Sequence, residues 1–421
     1  MRRLAFAGVI FTGLLACGKV AETAPAERRD EWISGRILEP GYFFLGITTD
    51  DWLGVGRESP SPEVKLISLH SGATVPLPPL HMTAFRGPAV FLWTSTTSAL
   101  QAWTHARGLQ TLTGAGALGG AAFAAAEDGR MVFLDQGPTG GTLTFRRSDG
   151  THVALGPAYD GCGGTFFFSG ERLFTSYCRG KGGWTLSVID KAGTEVLTMP
   201  GEGLDVSPRG DALLYAMGAA GQLLGPTDTT PTRVADGVLA GFLTPAGDGV
   251  VYVDNARSLR RASKGGGAPV EIAASIETVH FVSHDRKYVV YQPVPGTSVL
   301  TSTLAPGAPT ALPSDMVTST FTSDDRFFVY VRKTGEVVAQ PTSGGAGRAI
   351  GADGIGLLAA TGGKVVVHTK GHRLLVVDLG AGDAARPIAD NVERLLLTSD
   401  GSHIAYAVSS GPLAGVFVSA L

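Results

Sequence analysis

The nine residues TSDDRFFVY (322–330) set two small hydroxyl residues, two carboxylates and an arginine before an apolar run that ends in an aromatic ring. Polar turn chemistry followed by β-formers is the local signature of a β-hairpin. The pattern recurs as SPRGDALLY (207–215), TPAGDGVVY (244–252), SHDRKYVVY (283–291), ATGGKVVVH (360–368) and TSDGSHIAY (398–406), with successive starts 37, 39, 39, 38 and 38 residues apart. Between hairpins, SVLTSTL (298–304) with PTALP (309–313), and HRLLVVDL (372–379) with RPIAD (386–390), supply two further strands. A four-stranded unit repeating about every 40 residues describes the blades of a β-propeller, because a lone small sheet leaves both faces bare until neighbours stack on them.

Less regular copies extend the plan toward the N-terminus: FSGERLFTS (168–176), AEDGRMVFL (126–134), AFRGPAVFLW (84–93) and an opening unit at YFFLGITTDDWLGV (42–55). The expected fold is all-β, a propeller of four-stranded blades over residues 32–421 with about eight to ten units. Ten exceeds the usual range, so either the ring is unusually large, or the weaker units are distorted or form a small separate assembly. The last unit, through HIAYAV (403–408) and GVFVSAL (415–421), holds only three strands. The stretch ISGRIL (33–38) resembles the outer strands GRAI (347–350) and ARPI (385–388). It is expected to supply the missing strand and close one ring without an open edge.

Composition agrees with many short strands: 59 Gly and 24 Pro accompany 44% hydrophobic residues. A formal charge of −3 with 17% charged residues disfavours nucleic acid as a partner. The chain opens with Met1-Arg2-Arg3, an apolar run from Leu4 to Leu15, and Ala16-Cys17-Gly18. The run is shorter than the ~20 residues a membrane span needs and reads as an export signal. Leu14-Leu15-Ala16-Cys17 resembles the lipobox of bacterial lipoproteins. That resemblance implies a signal peptide over 1–16, lipidation of Cys17 and, with Gly18 following, an outer-membrane anchor on the periplasmic side or the cell surface. Residues 17–31 form a polar tether with nothing periodic to bury.

The repeat itself resembles the TolB-like, or PD40, family of WD40-like propellers, whose blades carry a small-x-Asp-Gly turn followed by apolar residues and an aromatic. The resemblance covers the second half of the chain most clearly and implies contact with envelope proteins. The chain departs from that family in showing no N-terminal α/β domain and in carrying its own lipidation signal.

Cys162 and Cys178 flank the hairpin TFFFSGERLFTSY and lie equidistant from Gly170. They are expected to face each other across the strand pair as a disulfide, worth roughly 3 kcal/mol for a loop of about 15 residues in the chain-entropy model. An oxidising compartment would preserve it. His280 and His284, like His368 and His372, have an H-x-x-x-H spacing, but on strands and turns that spacing does not place two ligands on one face. Asp324-Asp325 occupies the repeat's turn slot, and Asp50-Asp51 is read in the same way. The glycine runs at 114–120 and 265–267 lack a P-loop ending, and RSLRRASK (257–264) reads as a solvated outer strand. No G-x-S-x-G elbow occurs. No cofactor, metal site or catalytic set is expected.

Two functions follow. The first is a non-catalytic scaffold on the outer membrane that binds a protein, peptide or glycan through one propeller face. The alternative is an enzyme, or a small-ligand or metal-binding protein, with its site at the channel mouth, where His280, Asp285 and Arg286 are the residues to inspect first.

Overall fold

The computed structural model describes residues 32–58, 62–78, 82–93, 99–113, 122–137, 140–158, 165–178, 183–206, 212–217, 220–225, 228, 230–304, 308–382 and 384–421. Among these residues forty strands form ten four-stranded antiparallel sheets in a ring, a ten-bladed β-propeller without an α-helix. Each of blades 1 to 9 takes four consecutive strands. Blade 8, for example, runs through Met316–Phe321, Phe327–Arg332, Val337–Pro341 and Arg348–Gly351. First strands lie toward the centre, where Phe43–Ile47 of blade 1 meets both Met82–Arg86 of blade 2 and Val392–Leu397 of blade 10.

Blade 10 is the composite expected from its missing strand. Val392–Leu397, His403–Val408 and Gly415–Ala420 are completed by Gly35–Leu38, which pairs antiparallel with Gly415–Ala420 and sets Gly35 against Val418 and Arg36 against Phe417. The full complement of ten units thus forms one ring, and the weaker N-terminal copies are blades of it.

The described core divides into ten apolar clusters, one at each junction between neighbouring blades. Along the second strand of blade 8, Phe327, Val329 and Val331 pack against Val365, Val367 and Val377 of blade 9. The alternate residues, Phe328 and Tyr330, pack against Val290 and Leu300 of blade 7. Such a strand is buried on both faces, so it reads as a continuous apolar run rather than an alternating one. The last junction joins Leu53, Val55 and Ile67 of blade 1 to Ala405, Val416 and Val418 of blade 10.

The repeated turn also has a local physical basis. In blade 8 the buried Thr322 hydroxyl donates to Asp324 Oδ1 at 2.6 Å and accepts from the Phe327 amide at 3.1 Å, while the Asp325 amide donates to the Thr322 carbonyl. Ser283 and Thr398 make the same set in blades 7 and 10, with Asp285 and Asp400. The fourth residue of the turn has positive φ in each copy: 61° at Arg286, 54° at Asp325 and 69° at Gly401. That conformation favours Gly and tolerates Asp, which accounts for Gly401 and Asp325 at this position; Arg286 adopts it as well.

Blade 1 departs from the pattern because aromatic rings replace aliphatic packing. Its second strand, Trp52–Arg57, carries Gly54 and Gly56; the Phe85 ring of blade 2 occupies the space a Cβ at Gly54 would need, and Phe43 does so at Gly56.

Two substitutions test these accounts. Thr322→Val keeps the shape but strands the Phe327 amide, and is expected to lower stability by about 1–3 kcal/mol in urea titration. Gly54→Val must displace the Phe85 ring and is expected to cost about 1–3 kcal/mol by the same measurement.

Candidate functional site

The two mouths of the channel differ in chemistry. At one end, called here the turn face, the turns after the first strands stitch neighbouring blades together. Asp325 Oδ1 accepts from the His284 amide and from His284 Nδ1, each at 2.9 Å, and Asp325 Oδ2 accepts from the Asp285 amide at 2.6 Å. Ser323 of blade 8 donates to the Ala360 carbonyl of blade 9, and the Thr361 amide of blade 9 donates to the Gly401 carbonyl of blade 10. Ser399 of blade 10 in turn donates to the Thr49 carbonyl of blade 1. Arg130 performs the same task from blade 3, donating to the Gly170 and Glu171 carbonyls of blade 4.

The candidates singled out from sequence separate here. Asp285 and Arg286 lie together in the blade 7 turn, whereas His280 sits on the preceding strand, Ile276–Val282. Its Nε2 is 3.3 Å from Gln292 Oε1. His280 falls at a second register shift, between Val279 and Phe281, that the first strands of blades 8, 9 and 10 lack. A bulge of this kind re-aims a side chain. It was detectable in the sequence, since Ile276 to Ser283 is one residue longer than Met316 to Thr322.

Asp285 is engaged in its own turn. Burial would raise its carboxyl, but hydrogen bonds from Lys287 and Ser283 hold it below the usual carboxylate range. Arg286 reaches past blade 6 to pair with Asp205 of blade 5 and donates to the Val206 carbonyl at 2.8 Å. Asp205 also accepts from the Leu243 amide of blade 6 at 2.8 Å, so one carboxylate ties three blades. Burial pushes that carboxyl up, with Arg286 opposing it.

The histidine beside this pair is His284, which sequence reading set aside. Buried Asp325 orients its ring through Nδ1, and the side chain is 43% exposed. The Asp325 hydrogen bond raises the imidazole above its ordinary value against the cost of burial. In the other H-x-x-x-H pair, His368 Nε2 lies 2.9 Å from the Val392 carbonyl of the next blade. Among the described residues no three His, Cys, Asp or Glu side chains group as a metal site.

At the opposite mouth, where the first strands begin, equivalent positions stay exposed. Leu239, Val317 and Ile355, of blades 6, 8 and 9, are 51%, 61% and 43% exposed. Glu277 of blade 7 and Glu393 of blade 10 are exposed at the same place in the repeat. The basic stretch from residue 257 is instead partnered: Arg260 pairs with Asp254 and Glu271, Arg261 donates to the Thr303 and Leu304 carbonyls, and Lys264 pairs with Asp228.

Cys178 is buried at the end of Arg172–Cys178, and Cys162 lies outside the described residues, as does Cys17. The hairpin register sets Ser169 against Arg172 and Thr165 against Ser176. Its centre therefore falls between Gly170 and Glu171, half a residue beyond the expected one.

No protein-family model and no curated protein matches the chain. Among solved structures, a eukaryotic initiation factor aligns over 79% of this chain and 92% of its own at 11% identity, with a TM-score of 0.52. The β-propeller domain of Cps50 (Swd1) from Myceliophteria thermophila aligns over 60% and 94% at 13% identity, TM-score 0.33. An oligogalacturonate lyase in complex with manganese aligns over 69% and 96% at 13% identity, TM-score 0.37. At these identities the likeness is one of fold: the chain is a β-propeller.

His284 supplies a pH test of the turn face. Its raised value means that its contribution to stability is complete below the ordinary histidine range and is lost as pH rises through the folded value. Urea midpoints measured across roughly pH 5 to 9 should fall with rising pH in the native chain relative to His284→Gln, and the difference between the two should vanish at the alkaline end.

Proposed function

We propose that this chain is a non-catalytic binding scaffold of the cell envelope, held to the outer membrane through Cys17 and related in its repeat to TolB-like propellers. The observation that carries the binding reading is the exposed rim of Leu239, Val317 and Ile355, set at matching positions of three blades and interspersed with Glu277 and Glu393. Large apolar side chains gathered on one face and bordered by charge suit a protein or peptide partner.

The geometry of the N-terminus supports the same reading. Trp32 stacks on His403 of blade 10 with ring centroids 3.9 Å apart and also touches His70 of blade 1 at 4.2 Å. Both histidines lie on the turn face, beside Asp51 and the turn of residues 398–401. A tether ending there leaves the apolar rim on the side away from the anchor. A Cys162–Cys178 disulfide belongs to the proposal; Cys178 is buried and is not a free thiol.

A second reading, a small-ligand or enzymatic site, is favoured by the His284–Asp325 pair, because an orienting carboxylate on Nδ1 presents Nε2 outward. Crosslinking in intact cells separates the two. The anchored native chain should capture a defined protein, and a Val317→Glu, Ile355→Glu double variant should lose it while keeping its melting temperature; a Cys17→Ala form should be released from the membrane fraction. Capture that ignores the rim substitutions, or recovery of a small molecule without a protein, would overturn the scaffold reading.

A further inference from the structure

Where the closing strand ends, Arg36, Ile37, Leu38, Glu39, Tyr42, Arg57 and Lys65 line an open depression of about 320 Å³ on the rim side of the ring. Three of these side chains are cations and one, Glu39, is a carboxylate that pairs with Arg36, whose Nε also donates to the Leu38 carbonyl at 3.4 Å. Arg36 belongs to the strand that completes blade 10, while Tyr42, Arg57 and Lys65 belong to blade 1, so the depression straddles the seam.

The cations are held in place from behind. Glu63 accepts from the Tyr42 hydroxyl at 2.7 Å and from Arg57 Nη2 at 2.8 Å through Oε2, and from Lys65 Nζ at 2.8 Å through Oε1. Lys65 also donates to the Tyr42 hydroxyl at 3.0 Å. The Arg57 guanidinium and the Lys65 ammonium both lie over the Tyr42 ring, 4.9 and 4.6 Å from its centre. One carboxylate and one ring therefore fix two cations. Arg57 Nε is buried with no hydrogen-bond partner among the described residues. A second depression, of about 530 Å³, shares the same neighbourhood, lined by Gly41, Phe43, Glu58 and Arg394.

We infer that this seam pocket is a subsite for a small oxyanion, a carboxylate or phosphate group, held between Arg36, Arg57 and Lys65. The lining carries a net positive charge, Arg57 and Lys65 are pre-positioned by Glu63 and Arg36 by Glu39, and the open form admits a group carried on a larger molecule as well as a free ion. Because Arg36 lies on the closing strand and Arg57 and Lys65 on blade 1, the bound anion bridges the first and last blades and stabilises the ring against opening. The inference is independent of the apolar rim.

The full-length chain in detergent is titrated calorimetrically with inorganic phosphate and separately with galacturonate, and its melting temperature is followed in each. Saturable binding to one site is expected with at least one probe, together with a rise in melting temperature. Binding of phosphate alone assigns the site to a free or phosphoryl oxyanion, and binding of galacturonate alone to a sugar-borne carboxylate. Arg57→Gln should weaken binding about tenfold or more. Arg36→Gln, at an exposed position, should do the same if Arg57→Gln fails to fold, and Lys370→Gln, exposed in blade 9, should bind like the native chain. Absence of saturable binding with both probes, or native affinity in Arg36→Gln and in any folded Arg57→Gln, would refute the site while leaving partner capture at the rim untouched.

Discussion

Every blade of this molecule has two apolar faces, and that constraint governs the rest. A sheet whose second strand reads FFVYV has no side to give to water, so it is stable only between two neighbours. Ten such sheets satisfy one another only as a ring, and the ring exists only if its ends join. Pairing of Gly35–Leu38 with Gly415–Ala420 makes that joint, and Leu53, Val55, Ala405 and Val416 bury it. Arg36, carried on the same short strand, brings a cation to the seam, so closing the ring also assembles a pocket that neither end of the chain contains alone.

Hydrogen bonds join neighbouring blades at both mouths. On the turn face, buried hydroxyls at Ser283, Thr322 and Thr398 hold each turn, while Asp325, Ser323, Ser399 and Arg286 carry bonds to the next blade or the one beyond. On the other mouth the first strands start with backbone bonds to the preceding blade, from Ile276 to Arg257, Gly354 to Gly335 and Val392 to His372, and apolar and charged side chains at matching positions stay exposed.

The repeat from 207 onward made the propeller legible because turn chemistry and a doubly buried strand recur together at a nearly constant spacing. The first half was harder to read for a packing reason: Gly54 and Gly56 make room for Phe85 and Phe43, which breaks the aliphatic pattern without changing the blade. The site was less legible still. Asp285 and Arg286 are adjacent in the chain and in space, but His280 is lifted away on a bulge and His284 takes its place beside them. The partner of Arg286 is Asp205, two blades earlier, and no local spacing announces that pair.

Sequence alone determined the blade, its four strands, the turn that starts it, and the need for an N-terminal strand to finish the last unit, because these follow from alternation, turn propensity and edge pairing within about 40 residues. The tertiary structure decided the number of blades in one ring, the carboxylate that holds Arg286, the exposure of Val317 and Ile355, and the meeting of Arg36 with Arg57 and Lys65. Those features depend on how blades far apart in the chain splay and stack around a common axis, and a linear pattern carries no record of which side chains that stacking brings face to face.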